Sequence, residues 1–513
     1  MPTLASYDEL PYDSLPLPET RPDFLAALAR LGGFDAPDPT CARILELGCA
    51  QGGNLVPMAG AWPASECVGV ELSRVEAEAG AAFVARAGLT NCRILHADLA
   101  ALPPDLGTFD YIITHGVFSW VPPAVQDALL AVCRRHLAEN GVAYVSFNVE
   151  AGWKPLQPLR AALRERTSPA VAAPERCRQA RAVLDELASD PSAAPLAKEI
   201  AYLRQAAPSY LFHEYLAEFN QPLTFDAFNA RIAAHGLRYL GEAGPRRAVV
   251  ELEDDYGLIP ESMAARWLDA EAALDVALGT RFRRALLTRD DAPCPHPPRA
   301  DALATLAFHA DLGSDAEIDL SSDSEQSFRN PAGNTFPVTL PAMKAALMVL
   351  SAAYPHALDY ATLRRAARAL LAAHGGRDAS DADFDGALFA LVMLHGVMPT
   401  VWRGTFADEP GETPRATPLA RLQATTPGWV VSGARGVAID LDAAGRALLA
   451  AADGSRTVAA LATWMHGELA RAGLDAPPDA VLARTWETLW LFVRQGLLCP
   501  QPAQASAGLA RDG

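Results

Sequence analysis

The stretch that decides the fold is ILELGCAQGGNL, residues 44–55. An apolar run of β type carries one acid, Glu46, and then breaks into Gly48, Cys49, Ala50, Gln51, Gly52 and Gly53. Downstream, ECVGVELS (66–73), NCRILHAD (91–98), FDYIITHG (109–116) and GVAYVSFN (141–148) are further apolar runs. They are near-continuous rather than alternating, which suits parallel strands covered on both faces. Helical segments over about 54–61, 74–87 and 126–137 separate them. This βαβ order predicts a doubly wound, Rossmann-like α/β layer.

A strand, a glycine turn and a helix can hold a dinucleotide pyrophosphate, a nucleoside triphosphate or S-adenosylmethionine. A P-loop needs Lys-Ser/Thr after its last glycine. Here Gly53 is followed by Asn54 and Leu55. Glu46 would repel a pyrophosphate but attract the ammonium and sulfonium of S-adenosylmethionine. Glu71 ends the second strand, where a carboxylate can accept both ribose hydroxyls. Asp98 ends the third and can accept from an adenine amino group, with Leu72 and Leu99 placed to sandwich the ring. Each acid alone can be a strand-end or capping residue. Together they lie at the carboxyl ends of successive strands, where open α/β sheets bind ligands.

Beyond residue 154 the alternation stops. Residues 155–220 read as a helical insert. TFDAFNARIAAHGLRYLGEAG (224–244) reads helix, turn, strand, and RFRRALLTR (281–289) reads as a strand. These two strands, within a 221–290 region, are expected to complete the sheet as an antiparallel pair. Residues 291–335 are rich in Pro, Asp and Ser and are expected to include a linker. A weak internal repeat follows in 336–513. Each copy reads as three helices, a Gly and a short apolar strand, an order like that of a winged helix.

The chain has 513 residues and a net charge of -18, which argues against a nucleic-acid backbone as partner. From residue 301 onward there are 23 acids against 16 bases, so the winged-helix-like region is expected to serve partner docking rather than DNA. The eight cysteines form no CxxC pair, and no metal site is expected. No apolar run is long enough for a bilayer and the N-terminus has no basic leader, so a cytoplasmic protein without stable membrane insertion is expected. A homodimer is left open.

ELGCAQGG, GVELS, HADL and FDYIITHGVFSWV resemble the successive motifs of class I S-adenosylmethionine-dependent methyltransferases. Ala50 stands where that family has the middle glycine of its turn. YDELPYDSLPLPETRPDFL, THGVFSWVP, YVSFNVEAGW and HEYLAEFNQPLTFDAF further resemble a bacterial group carrying a methyltransferase regulatory domain, which includes rickettsial protein-lysine methyltransferases. The resemblance implies a seven-stranded fold whose S-adenosylmethionine-binding core spans 41–154, a donor S-adenosylmethionine, a product S-adenosylhomocysteine and a protein substrate. It implies donor contacts from Tyr12, Glu46, Gly48, Cys49, Ala50, Gly52, Asn54, Glu71, Leu72, Ser73, Asp98, Leu99, His115 and Gly116. Segment 1–40, with Tyr7 and Tyr12, is expected to cover the cofactor.

The acceptor should sit near His115–Trp120. DNA amino-methyltransferases usually place Asp/Asn-Pro-Pro-Tyr there, and that pattern is absent. His115 is a candidate proton acceptor or pocket wall. Phe118 and Trp120 are candidates for the acceptor channel, where aromatic faces hold a cationic amine. Asn148, near Trp153, can orient an acceptor or close a turn. His213-Glu214-Tyr215 lacks the second His of a zinc motif and reads as an acceptor-side or packing contact. Two other functions compete with protein methylation: methylation of a small molecule on N or O, and sensing of S-adenosylmethionine without catalysis.

Overall fold

Strand β1 (Arg43–Leu47) buries every residue except its first, which is why Ile44, Leu45 and Leu47 read as one unbroken apolar run. It pairs in parallel with β2 (Glu66–Glu71) on one side and β4 (Phe109–Thr114) on the other, with Leu45 opposite Val68 and Ile112. β3 (Cys92–His96) extends the β2 side, and β5 (Leu137–Asn148) extends the β4 side. The chain therefore reverses its direction of travel across the sheet between β1 and β4. The crevice above that switch is where such sheets hold ligands. β6 (Leu237–Glu242) and β7 (Phe282–Arg289) close the seven-stranded order β3-β2-β1-β4-β5-β7-β6, with β7 antiparallel to both neighbours. The expected antiparallel pair is thus present, and β5 begins earlier than its apolar run suggests.

The structure is a computed structural model that describes residue 10 and residues 14–245, 267–293 and 297–500. Tyr7 and Tyr12 lie outside the described residues. Helices Leu55–Ala61, Arg74–Ala87 and Pro123–His136 flank the sheet. The second is delimited as its sequence predicts. The Ser73 hydroxyl accepts from Glu76 N at its start, and Gly88 ends it at φ +67°. The insert is helical over Gln157–Glu165, Ala173–Ala188 and Ala197–Gln205 and ends in a π turn at Leu211–Leu216. Its core joins Leu159, Leu163, Leu184, Leu203 and Tyr215 to Trp153 at the end of the sheet domain.

The expected boundary at 335/336 is not where the structure divides. One compact unit comprises Met1–Ala353 with Ala357–Trp402, and the other comprises Tyr354–His356 with Arg403–Gly513. The first copy of the repeat therefore belongs with the sheet domain. Its helices Pro341–Ala353, Tyr360–Ala373 and Asp381–Met393 pack on β8 (Ala307–His309), β9 (Gln326–Arg329) and β10 (Thr335–Val338). Much of the expected linker is thus ordered, because Phe308, Leu312, Leu320, Phe328 and Phe336 anchor it in that core. These anchors are scattered among polar residues, and composition alone hides them. Helix Pro22–Leu31 joins the same core through Ala27 and Leu31. Beside it, Arg21 pairs with Asp23 at 3.0 Å and lies over the rings of Trp62 and Trp402 at 4.8 and 5.4 Å.

In the second unit, helices Ala443–Ala451, Val458–Arg471 and Pro478–Arg494 form the second copy. Gly496 follows at φ +64°, and Leu498 bridges back to Ala416. Among the described residues no helix is long and apolar enough to cross a membrane.

Candidate active site

The glycine turn spends its amides on protein acceptors. Gly48 N and Cys49 N donate to Val70 O at 2.8 and 3.2 Å, and Gly52 N donates to Cys49 O at 2.8 Å. Ala50 N donates to Glu71 Oε2 at 2.9 Å, and Gly53 N donates to Ser14 Oγ at 2.8 Å. A phosphate cradle needs such N–H groups turned towards the ligand. Gly48 and Gly52 have φ of +73° and +85°, and a Cβ on Gly52 would lie 2.7 Å from Ile94 Cδ1. Ala50 also sits in the left-handed region, at φ +47°, which costs a non-glycine residue about 1–2 kcal/mol. The turn is therefore held in its shape rather than relaxed into it, and the hydrogen bond to Glu71 holds the strained residue.

Glu46 is buried beneath the turn. Asn54 Nδ2 donates to its Oε1 at 2.9 Å, while its Oε2 is enclosed with no partner among the described residues. Burial pushes its pKa up to about 7; the Asn54 bond opposes this, and the nearby Glu71 charge adds to it. The neighbouring Cys49 thiol is also pushed up, chiefly by burial and then by Glu46 and Glu71. Cys49 points into the sheet beside Gly69, as a small apolar side chain and not a thiolate.

Asn54 also reads the segment that crosses the turn. Its Oδ1 accepts from Leu17 N at 2.9 Å, and its Nδ2 donates to Thr20 Oγ1 at 2.9 Å. Residues 14–20 thus strap the glycine turn. A Cβ on Gly53 would lie 2.0 Å from Ser14 O, so this glycine exists to admit the strap. Gly53→Ala should cost about 1–3 kcal/mol through overpacking. Gly116→Ala has an open Cβ position and only its φ of +67° to strain it, and should cost about 1–2 kcal/mol. Hydrogen exchange separates the two. Only Gly53→Ala should deprotect residues 14–20; equal protection in both variants contradicts this role for the strap.

Glu71 links turn and strand end. Besides Ala50 N, it accepts from Ser73 N at 2.8 Å through Oε1. Each carboxylate oxygen keeps a further lone pair for a ligand hydroxyl. Ser73 itself caps its helix through its hydroxyl. Leu72 is 47 % exposed beside it. Asp98 Oδ1 caps the short turn Leu99–Ala101 by accepting from Ala100 N at 2.9 Å. Asp98 is exposed and Leu99 half-buried, so this rim is open to solvent.

On the far side of the crevice, His115 Nδ1 lies 2.9 Å from Tyr144 Oη, and its ring is edge-on to Phe282. Burial chiefly lowers its pKa to about 4, with Glu19 opposing and Arg284 reinforcing. His115 is therefore neutral at neutral pH and a weak base. Gly116 N donates to Ser146 Oγ at 2.8 Å.

Phe118 does not line a channel. It is fully buried in the sheet core, edge-on to Phe228, because its 3₁₀ turn folds the ring inward. Trp120 is half-buried, edge-on to Trp153, against the insert core. Asn148 is buried; its backbone N donates to Ser119 Oγ and its Nδ2 to Asn220 Oδ1. His213 Nε2 lies 2.6 Å from Leu10 O, so it tethers the N-terminal segment, and Tyr215 Oη bonds Glu199. Sequence reading did not single out Ser14, Thr20 or Asn220, although each lies in a stretch that carries the family resemblance, because each comes from a segment without periodicity.

Three family models match the chain. They are described as a methyltransferase domain, over residues 44–141, a predicted methyltransferase regulatory domain, over 207–289, and a PKMT C-terminal winged helix domain, over 412–483. The uncharacterized protein RP028 of Rickettsia prowazekii is 33% identical over 229 residues, which span 44% of this chain and 92% of that one. The chain belongs to the class I S-adenosylmethionine-dependent methyltransferases. The uncharacterized protein RP789 of the same organism is 34% identical over 300 residues, 56% of this chain and 53% of that protein, so the match spans about half the length of that curated relative. Among solved structures, PKMT2 from Rickettsia typhi in complex with AdoHcy has a TM-score of 0.79 at 22% identity, covering 95% of this chain and 100% of that one. That likeness extends the methyltransferase fold through the insert and the winged helix.

Proposed function

We propose that the protein transfers a methyl group from S-adenosylmethionine to lysine amines of a protein substrate. The observation that carries the donor is the enclosed, unpartnered Glu46 Oε2 beneath a turn whose amides are already bonded to protein acceptors. This arrangement suits a cation and disfavours phosphate. Glu46 would receive the donor's ammonium, Glu71 its ribose hydroxyls and Asp98 its adenine amino group, with Leu72 and Leu99 beside the ring. Gly48 and Ala50 shape the backbone next to its amino-acid end. His115, Trp120 and Asn148 stand on the acceptor side.

The sulfonium supplies the electrophile, so the protein's task is to place a neutral amine in line and exclude water. Neutral His115 adds no positive charge to repel a lysine. The protein substrate is supported by the PKMT winged-helix match and by the large mass outside the sheet domain. A cytoplasmic location accords with this reading. Incubation of the purified protein with labelled donor and a fractionated lysate should place label on lysine side chains of a polypeptide. Label found only in small metabolites would refute the protein substrate.

Donor binding should depend on pH through Glu46. An unfolded Glu titrates near 4.3. With the folded value at about 7, the folded state holds more protons between these limits, and Glu46 lowers stability as pH rises through that window. The ammonium that the donor shares with S-adenosylhomocysteine needs the ionised form. Affinity for S-adenosylhomocysteine should therefore rise by up to about tenfold per pH unit as pH climbs towards 7. Calorimetry at pH 6.0 and 7.5 measures it, and equal affinities would remove Glu46 from the ammonium site.

A further inference from the structure

We infer that Asn220, held by Asn148, is the hydrogen-bond acceptor that orients the incoming amine. This rests on the amine reading above and names a residue for it. Residues 220–223 run beside the end of β5: Gln221 N donates to Ser119 O, Leu223 N donates to Asn148 O, and Val149 bridges Leu223 in parallel. The segment is thereby fastened to both the β4 turn and the β5 terminus, on the acceptor side of the crevice. Asn148 is 2 % exposed, and its Nδ2 donates to Asn220 Oδ1 at 3.0 Å. The remaining polar atom of Asn220, Nδ2, is shielded from solvent and has no partner among the described residues.

A buried amide atom without a partner calls for an explanation, and a ligand group that reaches it is one. A half-turn of both amides keeps one hydrogen bond between them, now from Asn220 Nδ2 to Asn148 Oδ1. It also changes the outward atom of Asn220 from an N–H donor to a carbonyl acceptor. A neutral amine must keep its lone pair for the methyl carbon, so the protein can grip it only through its N–H bonds. The carbonyl form of Asn220 does this; an N–H donor would occupy the lone pair. In the transfer the amine lone pair forms the N–C bond, and the C–S pair returns to sulfur as neutral S-adenosylhomocysteine. The methylated ammonium then releases its proton to water.

Methylation of poly-L-lysine with labelled donor tests this, alongside calorimetric binding of S-adenosylhomocysteine. Asn220→Ala should lower kcat/KM for poly-L-lysine by about tenfold while leaving S-adenosylhomocysteine affinity within twofold. Asn220→Asp should move the pH–rate profile to higher pH by about one unit, since a carboxylate favours the ammonium over the amine. A merely structural asparagine would not move that profile. Unchanged kinetics in Asn220→Ala, or an unmoved profile in Asn220→Asp, overturns the inference and leaves the lysine reading intact. Methyl esters formed on poly-L-glutamate by the wild type would overturn it too, because a carboxylate calls for the N–H form. A wild type that methylates no lysine sinks both.

Discussion

Arg283→Ala should destabilise the sheet unit by about 3–5 kcal/mol, the cost of leaving buried charges without their partner. Arg283 lies on β7, the strand that joins β6 to the rest of the sheet. It is 4 % exposed and reaches three carboxylates: Glu242 at 3.2 Å, Glu271 at 3.1 Å and Asp275 at 2.9 Å. Its guanidinium also lies 4.3 Å from the Phe225 ring centroid. The substitution removes the cation that the three acids share. Arg283→Lys keeps the charge but not the fork that meets several carboxylates at once, so it should fall between. Urea unfolding followed by far-UV circular dichroism reads both. A loss below about 1 kcal/mol for the alanine variant would mean that the acids relax into solvent and the cluster is peripheral.

Glu71→Ala should weaken S-adenosylhomocysteine binding at least about 100-fold. Two hydroxyls bonded to one ionised carboxylate contribute about 1.5–3 kcal/mol each. The side chain has a second task, because its oxygens accept from Ala50 N and Ser73 N. Removing it also frees the strained Ala50 to leave the left-handed region. Glu71→Gln keeps one oxygen acceptor and should lose about tenfold. Calorimetry distinguishes the two losses, and an alanine variant within threefold of wild type would move the ribose elsewhere.

The parallel half of the sheet was legible because burial on both faces leaves near-continuous apolar strands, as in Ile44–Leu47 and Tyr111–Thr114. The acids proposed for the donor pocket stand out in the sequence for a related reason. Glu46 interrupts such a run, and Glu71 and Asp98 sit at or just past strand ends. The extent of the first unit was not legible. Phe308, Leu320 and Phe328 are single apolar anchors in polar sequence, and a window of composition averages them away. Phe118 was misplaced because a 3₁₀ turn reverses side-chain direction within three residues, which spacing along the chain does not reveal. Asn54 was visible as a departure from a P-loop. Its role in tying Leu17 and Thr20 to Glu46 depends on residues more than thirty positions away.

The central claim is that ILELGCAQGGNL, residues 44–55, serves a sulfonium donor and not a phosphate. Parallel calorimetric titrations of the full chain with S-adenosylmethionine, NAD and ATP at one pH and salt concentration test it most directly. S-adenosylmethionine should bind at a single site, and NAD and ATP should give no saturable heat. Saturable binding of NAD or ATP that S-adenosylhomocysteine displaces, with none for S-adenosylmethionine, would contradict the account.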